Sequence, residues 1–124
     1  RVVHAVIKEC IEVTRAGGIR VEPVQGTDIV RLFDYRGPVK RFVARSLIPF
    51  ATRRHRVLRA SMLQDLEKGR PCEIDAINGA VRAEGLRLGV ATPVNDRVVE
   101  LVKSFEAGER KPGPENLALF DGLA

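Results

Sequence analysis

The sequence contains no tryptophan, one tyrosine and five phenylalanines among its 124 residues. A core built from it must be mainly aliphatic, and a chain with 44% hydrophobic residues can form one small globular domain. Cysteine and histidine are equally scarce, and their positions match no metal-binding or redox spacing: Cys10, Cys72, His4 and His55. We therefore expect two reduced thiols in a cytoplasmic protein and no metal site.

Longer patterns are missing as well. No run is long and apolar enough to span a membrane, and no signal-peptide pattern opens the chain. No Gly-x-Gly-x-x-Gly follows a strand pattern, so this sequence does not carry the dinucleotide-binding fingerprint. No segment shows the alternation of a strand. These absences predict an all-α domain without a membrane partner.

The charge is unbalanced toward basic residues, with a net charge of +5. Such a balance fits nucleic acid, an anionic substrate or solubility alone. Basic residues are densest between Arg53 and Arg59, where no aromatic residue is interleaved to stack on bases. We interpret this run mainly as a solvated face, and we keep a basic helical nucleic-acid-binding module as an alternative.

Apolar residues recur at helical spacing along most of the chain. Residues 1–16 predict an amphipathic helix ended by Gly17-Gly18, with one apolar face formed by Val3, Val6, Ile7, Cys10 and Val13. This helix begins without a capping residue, so we expect the chain to be a piece of a longer one. Weaker patterns predict helices from Asp28 to about Tyr35 and over residues 39–47.

Thr92-Pro93 predicts the start of another helix, which Gly108 ends. Its apolar stripe consists of Val94, Val98, Leu101, Val102 and Phe105. We expect residues 111–124, with their prolines and glycine, to be an irregular tail. The pattern as a whole predicts a bundle of about five or six helices.

The chain is organised around the stretch from Ser61 to Val81, which predicts two helices joined by a Gly-Arg-Pro turn. Gly69 ends the first helix, because glycine alone takes the left-handed conformation without steric cost. Pro71 fits the first turn of the second helix, which runs to residue 88 and buries Ile74, Ile77 and Val81. Met62, Leu63 and Leu66 would face a core from the first helix. The turn could bring Ser61, Asp65 and Glu73 to one side.

The same stretch resembles the C-terminal domain of the ketopantoate reductase (2-dehydropantoate 2-reductase) family. The resemblance rests on Ser-Met-Leu-Gln-Asp-Leu-Glu-x-Gly-Arg-x-x-Glu-Ile-Asp-x-Ile-Asn-Gly-Ala-Val, followed by Gly89-Val90-x-Thr92-Pro93-Val94-Asn95. It covers Ser61 to about Lys103, and it implies a helical fold like the C-terminal domain of 6-phosphogluconate dehydrogenase. It also implies that residues 1–124 are one C-terminal domain, with a Rossmann domain and a lysine-bearing helix outside them.

The whole enzyme implied by this resemblance reduces 2-dehydropantoate to pantoate with NADPH, in the pathway to pantothenate and coenzyme A. The expected partners are the 2-keto acid and the N-terminal Rossmann domain, which would bind most of the NADP. No nucleic acid is expected, and a homodimer is left open. A fragment of this extent should be inactive alone. The other alternative to a reductase domain, besides the nucleic-acid-binding module, is a purely structural oligomerisation domain.

The resemblance also assigns roles to four residues. Glu73 takes the place of the glutamate that faces the cleft between the domains, holds the substrate hydroxyl and lies near the cofactor. Ser61 takes the place of a serine that binds the substrate. Asp65 and Asn78 are expected to brace the hairpin, or, for Asn78, to support the substrate-binding residues.

Two departures qualify these roles. Leu58 stands where some family members have an asparagine, which removes one substrate contact. Neither Lys8 nor Lys40 lies in the family's lysine motif. From the residues alone, Glu73 is equally explained as a carboxylate at a helix start.

Overall fold

The computed structural model describes residues 1–22 and 61–123, and everything in those two ranges that is regular is helical. The helices are α1, Val2–Ala16; α2, Ser61–Glu67; a π-helical segment, Asp75–Gly79, that continues into α3, Ala80–Leu88; α4, Pro93–Glu106; and a 3-10 helix, Pro114–Phe120. The all-α prediction is confirmed, with five helices in the described ranges. The helices predicted between residues 28 and 47, Leu58 and the Arg53–Arg59 run lie outside the described residues.

Helix α1 packs against both α3 and α4. It ends as predicted, because Gly18 adopts a φ of 69° after the last turn. Its buried face differs from the apolar stripe, since Val3 is 64% exposed whereas Ile11 and Glu9 are buried. Glu9 is buried because its carboxylate accepts backbone N–H groups at the N-terminus of α4. Hydrophobic periodicity does not predict such a contact.

The turn after α2 begins as predicted and ends differently. Gly69 has a φ of 66°, and the N–H groups of Lys68 and Arg70 donate to the Asp65 carbonyl at 3.0 and 2.8 Å. The next helix was expected to start at Pro71 but begins only after Glu73. The Cys72 N–H instead donates to the Glu106 carboxylate at 2.8 Å, which holds this backbone outside the helix.

The first turns of that second helix are π-helical, and this changes which side chains are buried. Ile74 is 1% exposed as predicted, whereas Ile77, predicted to be buried, is 49% exposed. Asn78 is buried in its stead. A π-helical turn holds an extra residue, so the side chains after it rotate away from the 3.6-residue pattern.

Helix α3 ends at Gly89, with a φ of 70°, and meets the next connection very closely at Gly85. A Cβ atom on Gly85 would lie 2.7 Å from Cγ2 of Thr92 and 2.8 Å from the Val90 carbonyl oxygen. The backbone at Gly85 therefore lies in close contact with the connection between α3 and α4. At Gly79 a Cβ would meet only its own helix, at 3.6 Å or more.

Helix α4 begins at Thr92-Pro93 as predicted. Val94 of the predicted stripe is buried, and the other members of that stripe are half-buried. Val99, which was not predicted to belong to the stripe, is buried as well. Residues 111–124 were predicted to be irregular, but the structure forms the 3-10 helix there. Phe120 is 4% exposed within it, and the helix packs on α4. None of the described helices has the length and apolarity needed to cross a membrane.

Candidate functional site

Glu73 lies at the junction between the loop after α2 and the helix that starts with the π-helical segment. Its carbonyl accepts the N–H groups of Ala76 and Ile77 at 3.1 Å each, so its backbone begins that helix. Its side chain is exposed, and no hydrogen bond or ion pair to its carboxylate is found within the described residues. The carboxylate is therefore open to a hydroxyl donor from outside the domain.

The two other polar residues of the predicted site lie on α2. Ser61 is exposed at its first position, and Asp65 is half-buried one turn later. No residue of α2 is buried, although Met62, Leu63 and Leu66 were expected to face a core. The described hydrogen bonds and ion pairs join neither Ser61 nor Asp65 to Glu73, so the one-sided grouping of the three stays a prediction.

Asn78 belongs to a buried polar network rather than to an open surface. Its Nδ2 donates to Oδ1 of Asn95 at 2.9 Å, and the Asn95 Nδ2 donates to Oε2 of Glu9 at 2.7 Å. Asn95 is fully buried, and Asn78 is 9% exposed. This hydrogen bond ties the π-helical segment to α4, so the predicted role of Asn78 as a brace of the hairpin with α2 stays a prediction.

Glu9 completes the network and caps α4. Its Oε1 accepts the Val94 N–H and its Oε2 accepts the Asn95 N–H, both at 2.9 Å. A carboxylate at a helix N-terminus satisfies amide groups that have no partner within the helix and is favoured by the helix dipole. Thr92 is the N-cap residue as predicted, but its side chain makes no capping hydrogen bond, and its hydroxyl donates to Asp96 at 3.2 Å.

A second polar cluster surrounds the loop that carries Glu73. Besides holding the Cys72 N–H, Glu106 accepts Lys103 Nζ at 2.9 Å through its other oxygen. Lys103 also contacts Oδ2 of Asp75 at 2.5 Å. The ion pairs with Asp75 and then Glu106 raise the pKa of Lys103. The Cys72 N–H, followed by Lys103, lowers the pKa of Glu106.

The two cysteines carry no reactive signature. Burial raises the pKa of the Cys10 thiol, and the adjacent Glu9 carboxylate adds to this effect. Burial also raises the pKa of the Cys72 thiol. A thiol that stays protonated is a poor nucleophile and a poor metal ligand. In the part of the chain that the structure describes, no group of His, Cys, Asp and Glu side chains could hold a metal ion.

Sequence reasoning missed Glu9, Asn95, Lys103 and Glu106. Lys103 and Glu106 are three residues apart in the sequence, a spacing that is common for ion pairs on exposed helix faces. Their spacing therefore did not indicate a contact with another element. Glu9 lies among apolar residues in α1, and this one signal could have marked it as a buried carboxylate.

Comparison with known proteins gives a consistent result. A family model described as "Ketopantoate reductase PanE/ApbA C terminal" matches residues 1–106. A protein of Archaeoglobus fulgidus named 2-dehydropantoate 2-reductase is 44% identical over 50 residues, which are 40% of this chain and 17% of that protein.

Two further relatives carry the same name. The protein of Aquifex aeolicus is 46% identical over 46 residues, or 37% of this chain and 14% of its own length. That of Mesorhizobium japonicum is 51% identical over 45 residues, or 36% and 14%. The matched segments thus span only about a sixth of the lengths of these relatives. No solved structure matched the chain.

Proposed function

This chain belongs to the ketopantoate reductase C-terminal family, and we propose that it forms the substrate-binding domain of an NADPH-dependent 2-dehydropantoate 2-reductase. The whole enzyme would reduce a 2-keto acid, 2-dehydropantoate, to pantoate. Its remaining parts would be an N-terminal Rossmann domain and a helix that carries the general-acid lysine. We propose a cytoplasmic location for this enzyme, as expected for a step of coenzyme A biosynthesis.

The observation that carries the proposal is the state of Glu73. Its carboxylate is exposed and makes no hydrogen bond or ion pair within the described residues, whereas Cys72 and Asp75 close to it are both held by residues of α4. An ionised carboxylate held in this way can accept a hydrogen bond from a substrate hydroxyl, and a charge-assisted bond of this kind both binds and orients the substrate.

The cofactor would be held mainly elsewhere. Helix N-termini are the usual binding sites for phosphate, but the N-terminus of α4 is filled by the Glu9 carboxylate. A carboxylate such as that of Glu73 suits a ribose hydroxyl rather than a phosphate. NADPH, when bound, supplies the hydride for the reduction of the keto group. The contribution of this chain would be to orient the substrate.

Ser61 would add a neutral hydrogen bond to the substrate from the exposed start of α2. Asp65 and Asn78 would act by stabilising the surrounding structure. No observation favours a nucleic-acid-binding module or a purely structural oligomerisation domain. The basic run that suggested the former lies outside the described residues.

The proposal is tested by Glu73→Gln in the full-length reductase. Glutamine keeps the shape and one carbonyl acceptor but removes the charge. Because a charged hydrogen bond is worth roughly 1.5–3 kcal/mol, kcat/KM for the keto acid should fall about tenfold to a hundredfold or more. The KM for NADPH should hardly change, and Ser61→Ala should show a smaller defect, mainly in the KM for the keto acid.

The control is Glu84→Gln, which removes an exposed carboxylate from α3 that pairs only with Arg87 in the described structure. This variant should keep wild-type kinetics. A folded Glu73→Gln enzyme with the same kinetics as Glu84→Gln would refute the assignment and leave Glu73 as a charge at a helix start, worth about 0.3–1 kcal/mol of stability.

A further inference from the structure

The backbone on both sides of Glu73 is tied to the last turn of α4. On the N-terminal side, the Cys72 N–H donates to Oε1 of Glu106 at 2.8 Å. On the C-terminal side, the Asp75 carboxylate pairs with Lys103 Nζ at 2.5 Å. Lys103 and Glu106 also contact each other at 2.9 Å. The two attachments therefore form one continuous cluster, here called the α4 clamp: Cys72, Asp75, Lys103 and Glu106.

Two groups of ion pairs in the described structure join different elements: Arg82 of α3 pairs with Asp96 of α4 at 3.5 Å, and the clamp joins α4 to the segment that carries Glu73. The Arg97–Glu100 pair of α4 connects two residues of the same helix at 3.2 Å. Lys103 and Glu106 instead bridge α4 to the loop and to the start of the π-helical segment. Charged partners make the stronger class of hydrogen bond, so Glu106 is an effective anchor for a backbone N–H.

The Lys103–Asp75 pair of the clamp contributes little to global stability. The side chains of Lys103 and Asp75 are 43% and 66% exposed, and exposed ion pairs stabilise a fold only weakly. Between the two attachments of the clamp, Ile74 is inserted into the core with 1% exposure. The Glu73 carboxylate makes no hydrogen bond or ion pair within the described residues, so its position depends on the backbone that the clamp holds.

We infer that Lys103 and Glu106 are positioning residues for Glu73, which set the place of its carboxylate against the substrate. This inference rests on the proposed function of Glu73. A misplacement of about 1 Å in a substrate-orienting group can reduce turnover on the order of a hundredfold. A partial release of the loop should therefore lower kcat/KM measurably without unfolding the domain.

The test uses the full-length reductase with Lys103→Met, which removes the charge and keeps most of the side-chain stem. We expect kcat/KM for the keto acid to fall about tenfold, as for a loosened substrate-orienting group, with the KM for NADPH within about twofold of wild type. The melting temperature should stay close to that of wild type. Lys103→Arg, which restores the charge, should recover most of the loss. Arg97→Met is the matched control on the same helix and should behave as wild type.

A double-mutant cycle separates positioning from an independent effect. In a Glu73→Gln background, Lys103→Met should cause no further loss, because the carboxylate that it positions is gone. Asp75→Asn breaks the same ion pair from its other side and should reproduce the Lys103→Met defect. If Lys103→Met does not fold, the kinetics of Asp75→Asn test the positioning role in its place.

Two results would overturn the inference. One is wild-type kinetics in both Lys103→Met and Asp75→Asn; the other is a loss that multiplies with that of Glu73→Gln. If Glu73→Gln is defective and the clamp variants are not, the positioning role alone fails. If Glu73→Gln itself has wild-type kinetics, the proposed function of the site fails first.

Discussion

The buried Glu9 carboxylate joins α1 to the N-terminus of α4. It accepts three hydrogen bonds at 2.7–2.9 Å, from the Val94 N–H, the Asn95 N–H and the Asn95 side-chain amide. Only 7% of Glu9 is exposed, and Asn95 is fully buried. Glu9→Ala would therefore leave three buried donors of α4 without their acceptor.

The size of the effect follows from the burial of those donors. Each unsatisfied buried donor costs about 1–3 kcal/mol, and their sum is an upper bound because water can enter the space left by the side chain. We expect Glu9→Ala to lower the free energy of unfolding by about 3–5 kcal/mol, which lies in the lower part of the range for three unsatisfied buried donors. Glu9→Gln keeps one carbonyl acceptor and should lose about 1–3 kcal/mol.

Urea denaturation followed by circular dichroism measures both values. The control is Glu12→Ala, three residues along α1, which removes a 43% exposed carboxylate paired with Lys8 at 3.3 Å. A helix pair of this kind contributes about 0.2–0.5 kcal/mol, so this variant should be close to wild type. If Glu9→Ala and Glu12→Ala were equally stable, the buried cap would have no energetic role and the reasoning would be refuted.

Three further predictions follow from other contacts. Gly85→Ala should destabilise the domain by about 1–3 kcal/mol in the same assay, because its Cβ would collide with Thr92 and a backbone carbonyl; unchanged stability would contradict that close approach. The pKa of Glu106 is lower in the folded domain than its value of about 4.3 in the unfolded chain. Its ionised carboxylate therefore stabilises the fold above that unfolded pKa, and this contribution is lost as the pH falls through the lower folded pKa. The difference in Tm between wild type and Glu106→Gln should therefore shrink below pH of about 4, and a constant difference would argue against it. Titration calorimetry of this chain with NADPH should show no binding at micromolar concentrations, since it lacks the phosphate-binding fingerprint, and tight stoichiometric binding would be contrary evidence.

Helix ends were predictable because they depend on local chemistry. Gly69, Gly89 and Gly108 all adopt the left-handed conformation that their positions after apolar stripes predicted. Thr92-Pro93 marked the start of α4 for the same reason. Thr92 is the N-cap residue as predicted, but its own side chain makes no capping hydrogen bond. The acceptor is supplied by Glu9, which is 85 positions from Val94 in the sequence, and no local pattern contains such a contact.

The buried faces were predicted less well where the helix departs from regular geometry. The π-helical segment places Asn78 inside and Ile77 outside, against their hydrophobicity. The hydrogen bond between Asn78 and Asn95 accounts for this exchange, since a paired amide can be buried at little cost. Hydrophobic periodicity assumes 3.6 residues per turn and therefore fails at such a segment.

In the candidate site, too, residues in a local sequence motif were predicted, whereas contacts between distant residues were not. Glu73 was found through its resemblance to a family motif, and the structure shows that its carboxylate is exposed. The contacts of its neighbours Cys72 and Asp75 were not predicted, because Lys103 and Glu106 form an ordinary i,i+3 pair in the sequence. Only the fold shows that both also reach the loop around Glu73.

We therefore expect variants at the two ends of α4 to have different effects, one on stability and the other on kinetics. At the N-terminal end, the contacts with Glu9 are buried, so their loss should lower stability while the folded fraction keeps its kinetics. At the C-terminal end, Lys103 is 43% exposed, so its loss should leave stability nearly intact and change the kinetics. A contrary result would be a Glu9 variant whose kcat per folded molecule falls as much as that of Lys103→Met. It would mean that a change at the N-terminal end of α4 shifts the whole helix as a rigid body. In that case the position of Glu73 would be set by the whole helix rather than by its last turn.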